Sequence, residues 1–361
     1  MKREKIYIIL IFILLSAVSL IKNYSGSEFF EEFKGKGKLE FTTHAGTHYE
    51  NLSPDAFAYI AGIEYLRGNA DKSVLSAPFA YRVLPLWLAS LLPESVPPRA
   101  ALDIVNLAFL YLGLFYLYLI LKKGKVAYNL IILALLLYVV SFPVFYYGMS
   151  GLIDPVAIGL LYAMLYFSNT ATHTSGSIAT KNNIIVCILL FLAGLTKESL
   201  IVVIPTLGFI DYRLTRKRIW SIGNIVIYSA IFIMAYIIAR NILPVNSGYG
   251  WAVSLDTIIG NLARPRMYIS TILTFGIPGF IAIYSMIRNL VRNNFRVEFS
   301  KRSPYVVGYL GTIALWLYSL ASAYTDGRFM WYMYPFAIIL TINFFEELKK
   351  EKGLPENAGK K

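Results

Sequence analysis

The sequence predicts an all-α polytopic membrane protein, and three observations carry that reading. Hydrophobic residues make up 57% of the 361 positions and charged residues only 15%, where soluble domains carry roughly a quarter charged. Mean hydropathy is +0.57. The basic residues behind the formal charge of +13 fall in short runs between apolar stretches, the pattern that orients helices in a bilayer. No segment shows a basic face interleaved with aromatics, which sets nucleic acid aside as a partner. The single cysteine, Cys187, excludes an intrachain disulfide and thiol-pair redox chemistry. Residues 1–361 read as one integral-membrane domain without a repeat, soluble domain or linker.

Taken in order, Lys2, Arg3 and Lys5 precede an apolar run, Ile6 to Ile21. No small-residue cleavage pattern follows, so the run is expected to be an uncleaved helix with a cytoplasmic N-terminus. Residues 22–99 then form a long first extracytoplasmic loop, a length that itself suggests function. Lys34 to Lys38 is a Gly/Lys stretch without hydrophobic period. His44, His48 and Glu50 offer a candidate metal cluster. Asp55 to Gly68 has helical spacing, with Pro54 suited to the first turn and Gly68 to the stop. Pro78 to Pro93 is apolar apart from Arg82. At about 1.5 Å per residue it falls short of a hydrocarbon core roughly 30 Å thick, so it is expected to lie in the interface or re-enter.

Alternating spans follow. Ala100 to Leu121 is expected to run inward onto Lys122, Lys123 and Lys125, and Val126 to Tyr147 outward with a kink at Pro143. A short outer turn holds Asp154, and the chain returns to a polar loop at 169–183. Ile184 to Arg213 is long enough for one helix, but Thr196-Lys197-Glu198 interrupts it. Two short helices meeting near the outer face keep Arg213, Arg216, Lys217 and Arg218 inside, and this broken hairpin is the expectation. Trp220 to Arg240 runs out to a loop holding Tyr249, Trp251, Asp256, Arg264 and Arg266. Met267 to Ile287 returns, Tyr305 to Tyr324 runs out to Asp326-Gly327-Arg328, and Phe329 to Phe345 returns to a cytoplasmic tail, 346–361. The scheme has about ten membrane segments, both termini in the cytoplasm, and 21 of the 34 basic residues inside.

Charges beside the spans gather at one level. Asp55, Arg82, Asp103, Asp154, Lys197, Glu198, Arg264, Arg266, Asp326 and Arg328 all fall on the outer side in this scheme. Charge at a membrane boundary costs free energy unless it is solvated, paired or bound. Carboxylates and cations from several helices suit reaction between a lipid-borne anion and an external nucleophile. Cations would meet the charge developing on a leaving phosphate, and one carboxylate would take the proton of an acceptor hydroxyl.

The pattern Asp55-x3-Tyr59-x-Ala61-x4-Leu66-x-Gly68, followed by Pro78-x2-Tyr81-Arg82-x-Leu84-Pro85, resembles the first outer loop of the GT-C-fold glycosyltransferases. Those are integral-membrane enzymes that use polyprenyl-phosphate sugars. Leu195-Thr196-Lys197-Glu198 with Pro205, and Arg328 with Pro335, fit the same pattern. The resemblance implies Asp55 as general base and Arg82, Lys197 and Arg328 as donor-phosphate ligands. Asp154 is a second candidate catalytic carboxylate. Arg264 and Arg266 are further candidates for the phosphate, and Tyr59, Tyr81 and Glu198 for substrate contact. Ala56 follows Asp55 where protein O-mannosyltransferases carry Asp-Glu, and the soluble C-terminal domain of oligosaccharyltransferase catalytic subunits is missing. A lipid or glycan acceptor is therefore expected rather than protein.

The expected partners are membrane lipids, the polyprenyl-phosphate-linked sugar and that acceptor, at the plasma membrane with the active site extracytoplasmic. No cofactor is required by the sequence; a divalent metal is compatible with it. Two other functions fit the composition: a transporter or flippase of lipid-linked saccharides, and a non-catalytic membrane subunit. Asp55 capping its helix, Arg82 snorkelling to headgroups and Lys197 pairing with Glu198 are the structural readings of the same residues.

Overall fold

A computed structural model describes residues 2–25, 40–49, 54–171, 177–215, 218–243, 245, 253–292 and 303–352. Fourteen α-helices dominate these residues. In chain order they are α1 (Lys2–Ser25), α2 (Pro54–Leu66), α3 (Val83–Ser90), α4 (Pro98–Lys123), α5 (Tyr128–Val139), α6 (Phe142–Tyr147) and α7 (Asp154–Ala171). There follow α8 (Ser177–Gly194), α9 (Val203–Thr215), α10 (Arg218–Ile242), α11 (Leu255–Leu262), α12 (Pro265–Arg292), α13 (Ser303–Ser322) and α14 (Tyr334–Glu351).

By length and composition, four helices can cross a membrane: α4, Ser221–Ile242 of α10, α12 and α13. Lys5–Ile21, Tyr128–Val139 and Lys181–Gly194 are shorter apolar helices. The distribution of exposure fits a lipid solvent. Ile222, Val226, Ile233 and Ile237 on α10, and Ile272, Ile277 and Phe280 on α12, stand exposed, which water would penalise and hydrocarbon does not. At the centre, α7 and the first half of α14 are buried all round, from Val156 to Leu165 and from Tyr334 to Leu340. α7 packs on α4 and α8, and α14 on α12, α13 and α5. Gly159 allows the α4–α7 contact, since a Cβ there would lie 2.6 Å from the Phe109 carbonyl oxygen.

One expectation is corrected, and two helices depart from regularity. The run from Val126 to Tyr147 is not one kinked helix. It breaks into α5 and α6, because Ser141 caps α6 by accepting from the Val144 amide and Pro143 occupies its first turn. The span through Met267–Ile287 is kinked at Gly276, whose φ of 54° and ψ of −172° suit glycine alone. The last span starts as a 3-10 turn, Gly327–Met333, before becoming α14. Beside the helices, β1 (Phe41–Thr42) and β2 (His48–Tyr49) form a small antiparallel hairpin, pairing Phe41 with Tyr49 and Thr42 with His48, which leaves the all-α class unchanged.

That hairpin is clasped to α2. Buried Glu64 accepts from the Tyr49 hydroxyl at 2.9 Å and the Asn69 amide at 2.9 Å. Burial, then the bond to Glu64, push the Tyr49 phenol up to about 12. The expected break within Ile184–Arg213 is present: α8 ends at Gly194, and a 3-10 turn, Glu198–Val202, leads into α9. The Gly/Lys stretch 34–38, Glu50 and the Gly248–Trp251 segment lie outside the described residues.

Candidate functional site

Four interruptions of regular helix converge, and each carries charge. The first turn of α2 holds Asp55. A 3-10 turn, Phe79–Tyr81, ends on Arg82, which precedes α3. The break between α8 and α9 holds Lys197 and Glu198. The turn Gly327–Met333 holds Arg328. Breaking a helix frees backbone groups that must find partners. At the α8–α9 break the Leu84 amide donates to the Leu195 carbonyl at 3.0 Å, and the Thr196 hydroxyl to the Leu192 carbonyl at 2.7 Å. The first of these bonds ties α3 to the break and so fixes Arg82 beside Glu198.

The charges form a network. Arg328 Nη1 donates to Asp55 Oδ2 at 2.6 Å, and its Nε lies 4.0 Å from Asp154 Oδ2 and 3.9 Å from Asp326 Oδ1. Asp326 also caps the turn, accepting from the Arg328 amide at 2.8 Å. Lys197 Nζ donates to Asp154 Oδ1 at 2.6 Å, and the Tyr332 hydroxyl donates to the same oxygen at 2.7 Å. The ammonium lies 5.6 Å and 5.4 Å from the centres of the Phe329 and Tyr332 rings, cation–π contacts that replace lost water. In a 3-10 turn residues three apart eclipse, so both rings meet one ammonium. Arg82 Nη2 donates to Glu198 Oε1 at 2.7 Å, Nε to Oε2 at 3.4 Å, and Nη1 to the Tyr59 hydroxyl. Tyr59 stands one helical turn after Asp55 on α2.

The network has an inner and an outer end. Asp154 and Lys197 are 1% and 3% exposed, whereas the side chains of Asp55 and Glu198 are 25% and 32% exposed. Burial raises the Glu198 carboxyl, but the Arg82 charge and hydrogen bonds outweigh it and hold Glu198 below the usual carboxylate range. Lys197 and Glu198 do not pair with each other, as the sequence allowed; they separate onto Asp154 and Arg82.

The structure thus brings together Asp55, Asp154, Arg82, Lys197, Glu198, Arg328 and Tyr59. Arg264 and Arg266 meet aromatic rings at the border of this group. Arg264 stacks 4.4 Å over the Tyr324 ring and Arg266 lies beside Tyr146. Tyr81 makes none of these ion-pair contacts: its ring lies 5.1 Å from the Arg240 guanidinium and its hydroxyl donates to the Val245 carbonyl at 3.4 Å. Asp326, placed at the same level by the sequence but given no role, joins the network, and Phe329 and Tyr332 are further contributors that the sequence reading did not select. Their signal, an aromatic run at the start of a span, is shared by ordinary interfacial belts.

Among the described residues, no group of three or more His, Cys, Asp or Glu is placed to hold a metal. The network carboxylates face arginine and lysine rather than one another, which does not fit a cation site. His44 lies 3.5 Å from Asp71 and His48 3.8 Å from Glu40, both exposed. No protein-family profile and no curated protein matches this sequence.

Proposed function

We propose that the protein is a glycosyltransferase of GT-C type, moving a sugar from a polyprenyl-phosphate donor to a lipid or glycan acceptor at the outer membrane face. The reading includes ten membrane segments, with α5–α6 counted once and α8 and α9 as half-crossings. Both termini are cytoplasmic, and the membrane is the plasma membrane. The single observation that carries it is the Asp55–Arg328 bridge at 2.6 Å, at the accessible end of a network holding Arg82 and Lys197.

The chemistry follows from what each group is bound to. A donor phosphate competes with Asp55 for Arg328. Its arrival would free a carboxylate beside the reacting centre, so donor binding prepares the base. Asp55 then takes the proton of the acceptor hydroxyl as its oxygen bonds to the sugar's anomeric carbon. The bond from that carbon to the phosphate oxygen breaks, and polyprenyl phosphate departs with the electron pair. Arg328 and Arg82 meet the developing charge. Asp154 is buried, with Oδ1 engaged by Lys197 and Tyr332, and it positions Lys197. Glu198 positions Arg82 through its two bonds, and Tyr59 does so through a third.

The test is transfer by the purified protein in nanodiscs, offered a panel of polyprenyl-phosphate sugars and lipid or glycan acceptors. Asp55→Asn is expected to lower turnover by about a hundredfold or more while the protein still unfolds in one cooperative transition. Full activity of that variant would remove Asp55 as base. Translocation of the donor without chemical change would replace the transferase reading by that of a flippase.

A further inference from the structure

Four carboxylates, Asp55, Asp154, Glu198 and Asp326, face three cations, Arg82, Lys197 and Arg328. Each of these three cations is already engaged by a carboxylate before any ligand arrives. An anionic lipid approaching it needs an unneutralised cation at the edge.

Arg240, in the last turn of α10, is such a group. Its side chain is exposed, and among the described residues no carboxylate pairs with it. It is nevertheless held. The guanidinium lies 4.4 Å from the centre of the Tyr236 ring and 5.1 Å from that of Tyr81, and its Nη2 donates to the Tyr236 hydroxyl. Tyr236 is one turn back on α10, whereas Tyr81 comes from a different part of the chain and is itself tied to the Val245 carbonyl at 3.4 Å. Tyr81 immediately precedes Arg82, and α10 packs on both the Phe79–Tyr81 and the Glu198–Val202 turns, which puts Arg240 on the Arg82–Glu198 side of the network.

α10 also packs on the Glu198–Val202 turn, and its residues Ile233, Met234 and Ile237 are exposed on the apolar surface below. An arginine that merely snorkels keeps its rotamer freedom. One fixed between two rings, with its donors free on one edge, has met the ordering cost beforehand and presents a planar fork to a phosphate.

We propose that Arg240, clamped by Tyr81 and Tyr236, is the contact through which a lipid-borne phosphate enters this site from the bilayer. Only the choice of a polyprenyl phosphate as ligand rests on the transferase reading. The experiment titrates undecaprenyl phosphate into the full-length protein in phosphatidylcholine nanodiscs. Arg240→Gln is expected to weaken binding about tenfold, the loss of one charge-assisted contact. Arg240→Lys and Tyr81→Leu, which keep the charge but lose the fork or the clamp, should fall between. Arg99→Gln, an exposed cation on α4, should bind as wild type, and matched unfolding temperatures show that each variant is folded.

Equal affinity of Arg240→Gln and wild type overturns this inference alone. Failure of wild type to bind undecaprenyl phosphate overturns it together with the transferase reading. Equally strong competition by phosphatidylglycerol would make Arg240 a general headgroup anchor, and also overturns it.

Discussion

Lys197 is an ammonium group with 3% of its side chain exposed, and everything around it offsets the water it has lost. Removing one member of such a buried pair strands the other. Lys197→Met is expected to destabilise the protein by about 3 kcal/mol, measured by thermal unfolding in detergent. Asp154→Asn combined with Lys197→Met removes both charges and should recover most of that loss, while sugar transfer stays absent. Recovery of transfer along with stability would deny Lys197 any part in the chemistry. The outer pair makes a pH prediction. Glu198 is held below the usual carboxylate range, so the folded state favours its ionised form. The Arg82–Glu198 contribution is then fully present above the ordinary carboxylate pKa of about 4.3, and is lost as pH falls through the depressed value. Unfolding temperature should be flat from about pH 8 to pH 5 as far as this pair is concerned. It should fall below that range, and Glu198→Gln should blunt the acid decline. At this scale the sequence revealed Asp55, Arg82, Lys197 and Arg328, because a charge in an apolar chain is conspicuous. It did not reveal who pairs with whom. Adjacent residues such as Lys197 and Glu198 point to different neighbours, and the partners come from elements far away in the chain.

Among the elements, those that hold the site are the ones least regular. α12 bends at Gly276, where a Cβ would stand 2.8 Å from the Tyr334 hydroxyl oxygen at the start of α14. Gly276→Ala combines that contact with a backbone conformation denied to alanine, and should cost about 2 kcal/mol. It should also lower transfer, because α14 continues directly from the turn bearing Arg328. A Gly276→Ala protein with unchanged unfolding temperature would show that the helix straightens freely. The clasp between the hairpin and α2 invites a milder change. Tyr49→Phe takes one donor from Glu64 and is expected to cost about 1 kcal/mol, with faster proteolysis around residues 40–49. Helix existence was readable throughout from apolar runs and their basic flanks. The α8–α9 break was readable because charges cannot sit in a spanning helix without reason. The bend at Gly276 and the division at Ser141 were not, since glycine, serine and proline occur in uninterrupted membrane helices as well.

For the molecule as a whole, the arrangement of helix ends yields a topology that labelling can check. With Cys187 replaced by alanine, Arg99→Cys should react with a membrane-impermeant maleimide from outside intact cells. Lys123→Cys, at the other end of α4, should react only after the membrane is opened. Reversal of the two would invert the proposed orientation and put the ion-pair network in the cytoplasm. At the far end of α12 and α14, Arg288 and Arg292 both engage Glu351, the end that the proposed orientation puts in the cytoplasm. The overall class was legible from composition. The gathering of the outer charges was legible only as a shared level, because a level in the membrane fixes one coordinate of a residue and leaves the other two open.

Asp55 and Arg328 are bridged across 273 positions of sequence. During synthesis the carboxylate therefore leaves the ribosome long before its guanidinium exists, and nearly every helix must be inserted in between. A half-made chain already holds Asp55 and Arg82, but it lacks Arg328, the residue that joins Asp55 to the rest of the network. Under the proposed function, catalysis waits for the turn that bears Arg328, so the order of synthesis itself keeps the earlier-made Asp55 idle.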